Sequence, residues 1–242
     1  MLRDYSMMKA NLLTKIKLVK DTMQFDFELV AGELIFLPGQ FLSIKLPAVR
    51  SADDESNIRY FSIVSSPSLA KKFSIATRLS NSAFKQALFN LTLGTEVEVG
   101  AIGGVMTLPT ETAQPLVFVA GGIGITPFMS MLTFVKDNQT GHHITLLYSN
   151  RTRPSSAYFD ELTKLEEEME NFIMIATMTD DEYWTGEKRL VDHEFIKEKI
   201  ADYKEAKYFV AGPPPMVLAM ANNFDRLGIT KDHYVLEEFF GY

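Results

Sequence analysis

Leu116-Val117-Phe118-Val119-Ala120-Gly121-Gly122-Ile123-Gly124-Ile125-Thr126-Pro127 is the stretch on which the reading of this chain turns. Its five leading apolar residues, two of them valines, predict a strand buried on both faces. The glycines allow a tight turn, and Thr126 with Pro127 predicts the opening of a helix, Thr as N-cap and Pro at the first helical position. A strand, a glycine turn and a helix N-terminus together offer backbone N–H groups and a positive dipole end, which suits a pyrophosphate. Without a Cβ, Gly121, Gly122 and Gly124 would let the backbone approach such a group. The spacing departs from Gly-x-Gly-x-x-Gly. A buried strand and tight turn of any α/β protein accounts for the same residues.

On the C-terminal side the alternation of strand and helix continues. Apolar strands are predicted at Ile144 to Tyr148, Phe172 to Met178, Tyr208 to Ala211 and Tyr234 to Leu236. Helices fall between them at Pro127 to Lys136, Ala157 to Met169, Glu194 to Ile200 and Met216 to Leu227. This pattern predicts a parallel sheet with helices on both faces, whose ligands bind beyond the carboxyl ends of the strands.

On the N-terminal side the period is two. Strands are predicted at Leu12 to Val19, Phe25 to Leu29, Phe41 to Leu46, Arg59 to Val64, Phe73 to Arg78 and Val97 to Val99. One helix interrupts them at Ser82 to Leu88, and Ser51 to Asn57 reads as an exposed acidic loop. Short strands with turn residues between them indicate a closed or sandwich-like β domain. The expected division is residues 1–110, all-β, and residues 111–242, α/β, joined by the polar link Thr110 to Gln114.

Composition narrows the chemistry. Among 242 residues, 46% are hydrophobic, enough for a real core, and no apolar run approaches the ~18 residues of a membrane span. The start, Met1 to Ser6, lacks a signal peptide's apolar stretch, so a cytoplasmic protein is expected. The absence of cysteine excludes disulfides, thiolate catalysis and a Cys-held iron–sulfur cluster in this chain. His142-His143 lacks metal-ligand spacing, and no metal site is expected. A net charge of −7 argues against nucleic-acid binding.

Five motifs in order carry a resemblance: Pro38-Gly39-Gln40-Phe41, Arg59-Tyr60-Phe61-Ser62, Gly121 to Pro127, Ala211-Gly212-Pro213-Pro214 and Glu237-Glu238-Phe239-Phe240-Gly241-Tyr242. With them the chain resembles the ferredoxin–NADP(+) reductase family over nearly its whole length. The resemblance implies an antiparallel Greek-key flavin-binding barrel followed by a Rossmann-like NAD(P)-binding domain. It assigns Arg59 to the FAD pyrophosphate, where a planar guanidinium suits phosphate, and Ser62 to flavin N5. Tyr60, Phe61, Ile63, Val64 and Ser65 would surround the flavin, with Phe61 standing where the family has Tyr. Ser80 and Ser82, in Arg78 to Lys85, would form a second phosphate contact at a helix start. An ordinary helix cap explains Ser82 as simply.

In the second domain the resemblance gives Gly121, Gly122, Gly124, Thr126 and Pro127 to the nicotinamide nucleotide, together with Gly212 and Pro213. Ser149 and Arg151, at the end of the second parallel strand, fall where the adenosine ribose would lie. They favour NADPH over NADH, unless Arg151 pairs with Asp160 or Glu161. Ala211 replaces the Cys of the family's Cys-Gly-x-Pro beside the reacting nicotinamide. Phe239 is the aromatic expected over the flavin, with Tyr242 close by; an aromatic terminus tucked into a core is the alternative. The implied function is transfer of a hydride from NAD(P)H to FAD, aligned by Ser62, Ala211 and Phe239. Electrons would then pass to a separate acceptor such as ferredoxin, flavodoxin or an oxygenase component. Reduction of free flavin or ferric complexes is an alternative, as is a non-catalytic FAD-binding electron-transfer subunit.

Overall fold

Apolar–polar alternation in the first hundred residues becomes six strands. The computed structural model describes residues 7–47 and 57–239. The chain divides into two units: one runs to Leu108 and takes in Thr126–Phe134, and the other comprises Pro109–Ile125 and the chain from Val135 onward.

In the first unit the strands are β1 (Met8–Val19), β2 (Thr22–Leu29), β3 (Phe41–Lys45), β4 (Ile58–Ser62), β5 (Lys72–Arg78) and β6 (Glu96–Gly103). Their order is β4-β3-β6-β1-β2-β5, antiparallel at each junction. An isolated bridge between Ile63 and Ile75 joins the two outer strands, so the sheet curls into a barrel. Because β6 returns to lie beside β1, the order is a Greek key rather than a meander. Side chains alternate across each strand, which sends Phe25, Phe27, Leu42, Ile44, Phe73 and Ile75 inward, each without exposure. Phe27 stacks on Phe73 with centroids 5.2 Å apart. Helix α1 (Ala83–Asn90) places Phe84 and Leu88, one turn apart, in the same core.

In the second unit β7 (Leu116–Gly121), β8 (Ile144–Asn150), β9 (Phe172–Met178), β10 (Lys207–Gly212) and β11 (Tyr234–Glu238) form a parallel sheet in the order β11-β10-β7-β8-β9. β7 is buried at every residue, as a central parallel strand must be. After β7 comes α2 (Thr126–Asn138), whose residues to Phe134 group with the first unit; the second unit's own helices are α3 (Phe159–Glu168), α4 (His193–Lys199) and α5 (Pro214–Leu227). Val119, Leu147 and Val210 face Phe195 of α4 and Phe224 of α5. On the opposite face Phe118 meets Phe209 edge-on at 5.7 Å. The chain leaves β7 toward β8 and later returns on its other side to β10. The carboxyl ends of β7 and β10 therefore flank the switch point, where connections diverge and a crevice opens.

The expected strands are all present, with ends shifted by a few residues. The grouping of Thr126–Phe134 with the barrel differs from a single cut after residue 110. Ser130 Oγ donates to the Ser65 carbonyl at 2.7 Å, and the Met131 methyl packs at Gly39. Of the expected loop Ser51 to Asn57, only Asn57 lies among the described residues; its amide donates to the Leu46 carbonyl at 2.9 Å.

Candidate flavin and nucleotide sites

In the barrel unit, residues from two separate motifs converge on Phe84. Arg59 and Phe61 stand two apart on β4, hence on one face, opposite Ile44 and Leu42 of β3. The Arg59 guanidinium lies 5.6 Å from the Phe84 centroid, and the Phe61 ring is 5.9 Å from it. One Arg59 N–H also donates to the Ile58 carbonyl at 2.7 Å. Phe84 itself is wholly buried and belongs to the first turn of α1. Two residues before it, Ser82 occupies the N-cap position. Its side chain makes no capping hydrogen bond, and its Oγ is buried without a partner. No acidic residue lies in the first turn of α1. The helix N-terminus thus keeps its positive end and orphan N–H groups beside a hydroxyl that lacks a partner.

The expected cap is therefore at the right position and does not cap. An unsatisfied buried polar atom costs about 1–3 kcal/mol, and native structures retain few of them. A phosphate brought to this helix end would meet the Ser82 hydroxyl and Arg59. These residues fit the diphosphate of FAD. Ser80 is engaged locally: its Oγ lies 3.5 Å from the Ser82 N–H, and its carbonyl accepts from Gln86 at 3.1 Å. Burial lowers the pKa of the Lys85 ammonium in the same turn.

The rest of the flavin motif is placed unevenly. Phe61, expected to present its face to the flavin, is turned into the barrel core and is 9% exposed. Strand alternation is the reason, and it leaves Tyr60 as the motif's exposed aromatic, 56% accessible and edge-on to Phe41 at 5.6 Å. Ser62 is buried opposite Phe41. The Ile63 and Val64 N–H groups donate to the Gln40 and Ser74 carbonyls at 2.9 and 2.8 Å, so these two residues serve the barrel's own ladder. Ser65 Oγ accepts from the Ser74 N–H at 3.1 Å. Gly39, at φ +95°, turns the chain beneath them; a Cβ there would abut the Met106 carbonyl.

In the second unit the two glycine motifs meet at the switch point. A Cβ on Gly124 would lie 2.5 Å from the Ala211 carbonyl carbon and 2.8 Å from the Gly212 nitrogen. One on Gly121 would run into the Met216 sulfur and lie 3.0 Å from Pro213 Cδ. One on Gly212 would be 3.3 Å from Gly121 Cα. Gly124 is therefore required by the close approach of two backbones, quite apart from any ligand, whereas a Cβ on Gly121 or Gly212 would first meet the side chain of Met216. Gly122 has φ +54°, and the Tyr148 hydroxyl lies 2.9 Å from the Ala157 carbonyl and 3.2 Å from that of Gly122. Residues Gly122–Ile125 form a 3₁₀ turn running straight into α2. The N-cap is Ile125 with helical φ and ψ, and Thr126 is already the first helical residue. The expected Thr cap is displaced because the turn itself is helical.

The two strand ends differ. Beyond β7 the chain runs through Gly122, Ile123 and Gly124, each with a backbone N–H. Beyond β10 it runs into Pro213, Pro214 and Pro215, which have none; the next two N–H groups, of Met216 and Val217, both donate to the Pro213 carbonyl at 2.9 and 3.1 Å. Ala211 is wholly buried, its carbonyl against Gly124. Phe239 is seated beside them, its N–H donating to the Gly212 carbonyl at 2.9 Å. Phe240, Gly241 and Tyr242 lie outside the described residues.

Ser149 is paired between Gly121 and Thr177 at the carboxyl end of β8. Arg151 beyond it is exposed and makes no ion pair among the described residues. Asp160, its considered partner, is held by Arg153, whose guanidinium lies 3.9 Å from the Phe159 centroid. Sequence reasoning missed Phe84, Tyr148, Arg153 and Met216. Phe84 and Tyr148 read only as members of the helix Ser82 to Leu88 and the strand Ile144 to Tyr148, and only the Pro213-Pro214-Pro215 run before Met216 could have drawn attention to it. His142 precedes β8 in a loop and is buried there. It is 2% exposed, with Nδ1 2.7 Å from Thr140 Oγ1 and Nε2 2.9 Å from the Pro109 carbonyl. No cluster of three or more His, Cys, Asp or Glu suited to a metal occurs among the described residues.

A barrel with an anion-ready helix end, followed by a parallel sheet whose two glycine motifs meet at the switch point, defines a flavin- and nicotinamide-nucleotide-binding module. Residues 9–107 match the oxidoreductase FAD-binding domain and residues 118–222 the oxidoreductase NAD-binding domain. The chain belongs to the ferredoxin–NADP(+) reductase-like family. It is 29% identical over 210 residues to the glycine betaine monooxygenase reductase subunit of Chromohalobacter salexigens, covering 84% of this chain and 56% of that protein. It is 26% identical over 215 residues to a flavohemoprotein of Oceanobacillus iheyensis, covering 84% of this chain and 51% of the relative. The chain thus spans little more than half the length of these relatives. Among solved structures, the cytochrome b5 reductase domain of Ulva prolifera nitrate reductase shares the fold. Its TM-score is 0.85 at 21% identity, with 98% of both chains covered. No helix among the described residues is long and apolar enough to cross a membrane.

Proposed function

We propose that this chain is an FAD-dependent NAD(P)H oxidoreductase that passes electrons to a separate acceptor, an oxygenase component or a small carrier such as ferredoxin or flavodoxin. The observation that carries the reading is the buried, unpartnered Ser82 hydroxyl at a helix N-terminus, with Arg59 over Phe84 in the same first turn. Bound flavin supplies the redox chemistry, accepting a hydride from the nicotinamide and releasing electrons singly. The chain's own residues bind and orient. Arg59, Ser82 and the first turn of α1 hold the diphosphate, and Ser62 serves the flavin's reactive edge. The N–H groups of Gly122 to Gly124 hold the nucleotide phosphates, with Phe239 and Gly212 fixing the end of the crevice. No residue needs to move a proton for hydride transfer, which depends on alignment.

Exposed Arg151, free of Asp160, which Arg153 holds instead, supports NADPH over NADH. Relatives named as reductase components of glycine betaine monooxygenase, anthranilate 1,2-dioxygenase and propane 2-monooxygenase support an oxygenase component as acceptor. Dependence on reduced nicotinamide nucleotides favours a cytoplasmic location. Anaerobic titration of the flavin-loaded protein with NADPH and NADH, followed at the flavin absorbance, tests the reading. Bleaching by either nucleotide is expected, sooner with NADPH; a flavin that stays oxidised with both would refute it.

A further inference from the structure

The far end of α1 is held by a cation from a distant strand. Lys15 of β1 donates through Nζ to the Phe89 carbonyl at 2.9 Å and the Leu91 carbonyl at 2.8 Å. Both carbonyls belong to the C-terminal end of the helix, Leu91 being its C-cap. The helix has no basic residue in its own last turn, so Lys15 supplies the charge that this dipole end favours. No carboxylate forms an ion pair with Lys15 among the described residues, and both of its side-chain hydrogen bonds among them go to the helix end. Phe89 packs edge-on against Phe25 at 5.5 Å, and Phe25 is the cross-strand partner of Lys15, which fixes the ammonium's approach.

The two ends of α1 are therefore unequal. At the C-terminus the carbonyls have a cation. At the N-terminus there is no acidic residue and no side-chain cap, and Ser82 Oγ lacks a partner. Eight residues span only ~12 Å and are too few for a helix stable on its own, so its order depends on what holds its ends. The wholly buried Phe84 and Leu88 keep it seated in the barrel. Resting on the flavin assignment above, we propose that Lys15 is a positioning residue for the FAD diphosphate. It anchors α1 from behind, aligns the first-turn N–H groups, and adds positive potential along the helix axis toward the bound anion. Anion binding at one end and the Lys15 contact at the other then reinforce each other through the helix.

The test compares wild type, Lys15→Met, Lys15→Gln and Lys15→Arg by fluorescence titration of the flavin-free proteins with FAD, and by thermal unfolding with and without FAD. Loss of the charge should raise the FAD dissociation constant about three- to tenfold in Lys15→Met. Lys15→Gln keeps a donor without the charge and should fall between, while Lys15→Arg should stay near wild type. The stabilisation conferred by saturating FAD should shrink in parallel. A purely structural cap would lower both melting temperatures equally and leave the dissociation constant unchanged, and that result overturns the proposal. Equal weakening in Lys15→Arg and Lys15→Met also overturns it, because charge would then be irrelevant. If Lys15→Met does not fold, Lys15→Gln carries the same comparison. Failure of wild type to bind FAD would instead remove the flavin assignment itself.

Discussion

Replacing Arg59 with alanine should separate flavin retention from folding. In the folded chain the guanidinium donates to the Ile58 carbonyl and lies 5.6 Å from the Phe84 centroid. A partly exposed cation–aromatic contact of this kind is worth roughly 0.5–1 kcal/mol, so the barrel should lose little stability. The loss to a bound diphosphate is larger. A unit charge pair ~4 Å apart at an effective dielectric of ~20 interacts by about 4 kcal/mol, and removing one partner of a partly desolvated pair typically costs 2–5 kcal/mol. With about 2–4 kcal/mol, the FAD dissociation constant should rise ~30- to ~900-fold. Arg59→Lys should recover part of the loss, because it restores charge without the planar fork. Flavin-to-protein absorbance after gel filtration and fluorescence titration of the flavin-free protein both report the change. An Arg59→Ala protein that melts normally and keeps its flavin at wild-type affinity would refute the phosphate role.

Arg151→Ala should raise KM for NADPH several-fold and leave NADH nearly unchanged in steady-state assays; equal effects on both would make Arg151 a shared or structural contact. Gly124→Ala should be among the most disruptive small substitutions, since the new methyl meets the Ala211 and Gly212 backbone. A loss of 1–3 kcal/mol or more is expected in chemical unfolding, and wild-type stability would contradict the close approach. The folded chain disfavours charged Lys85, whose pKa burial lowers from 10.5. That penalty is complete below the folded pKa and fades as pH rises through it toward 10.5, so this residue makes stability climb with pH in that alkaline window. Urea unfolding should show a shallower climb in Lys85→Met; identical pH profiles would rule the effect out.

Secondary structure was legible because period-two and period-3.6 patterns rarely conflict here. The continuous burial of β7 and the Phe84–Leu88 pair of α1 are both plain in the residues. The site was legible as motifs and less so as geometry. Arg59 and Ser82 are 23 positions apart, and only the fold of β4 against α1 brings them around Phe84. Phe61 turns into the core while Tyr60 stays exposed, because a motif fixes residue order while the strand decides which side faces inward. The Thr126 cap failed for a local reason: Gly122–Ile125 already turns as 3₁₀, so Thr126 is drawn into the helix one residue before the start read from Thr-Pro. Lys15 could not have been found at all from sequence, since its partners lie 74 and 76 residues away.

The proline run after Gly212 bears on which way round a ligand can lie. A dinucleotide is asymmetric, with a charged middle and two different bases, and a crevice with equivalent walls would accept it in either sense. If phosphates lie at the β7 end as proposed, that side offers the N–H groups of Gly122, Ile123 and Gly124, whereas Pro213, Pro214 and Pro215 beyond β10 have no hydrogen to give. Such a site works as a keyed socket whose key is written in the main chain. Side-chain substitutions along its rim could retune affinity without inverting the ligand. Turning it round would require restoring donors to the β10 wall, and so rebuilding the first turn of α5.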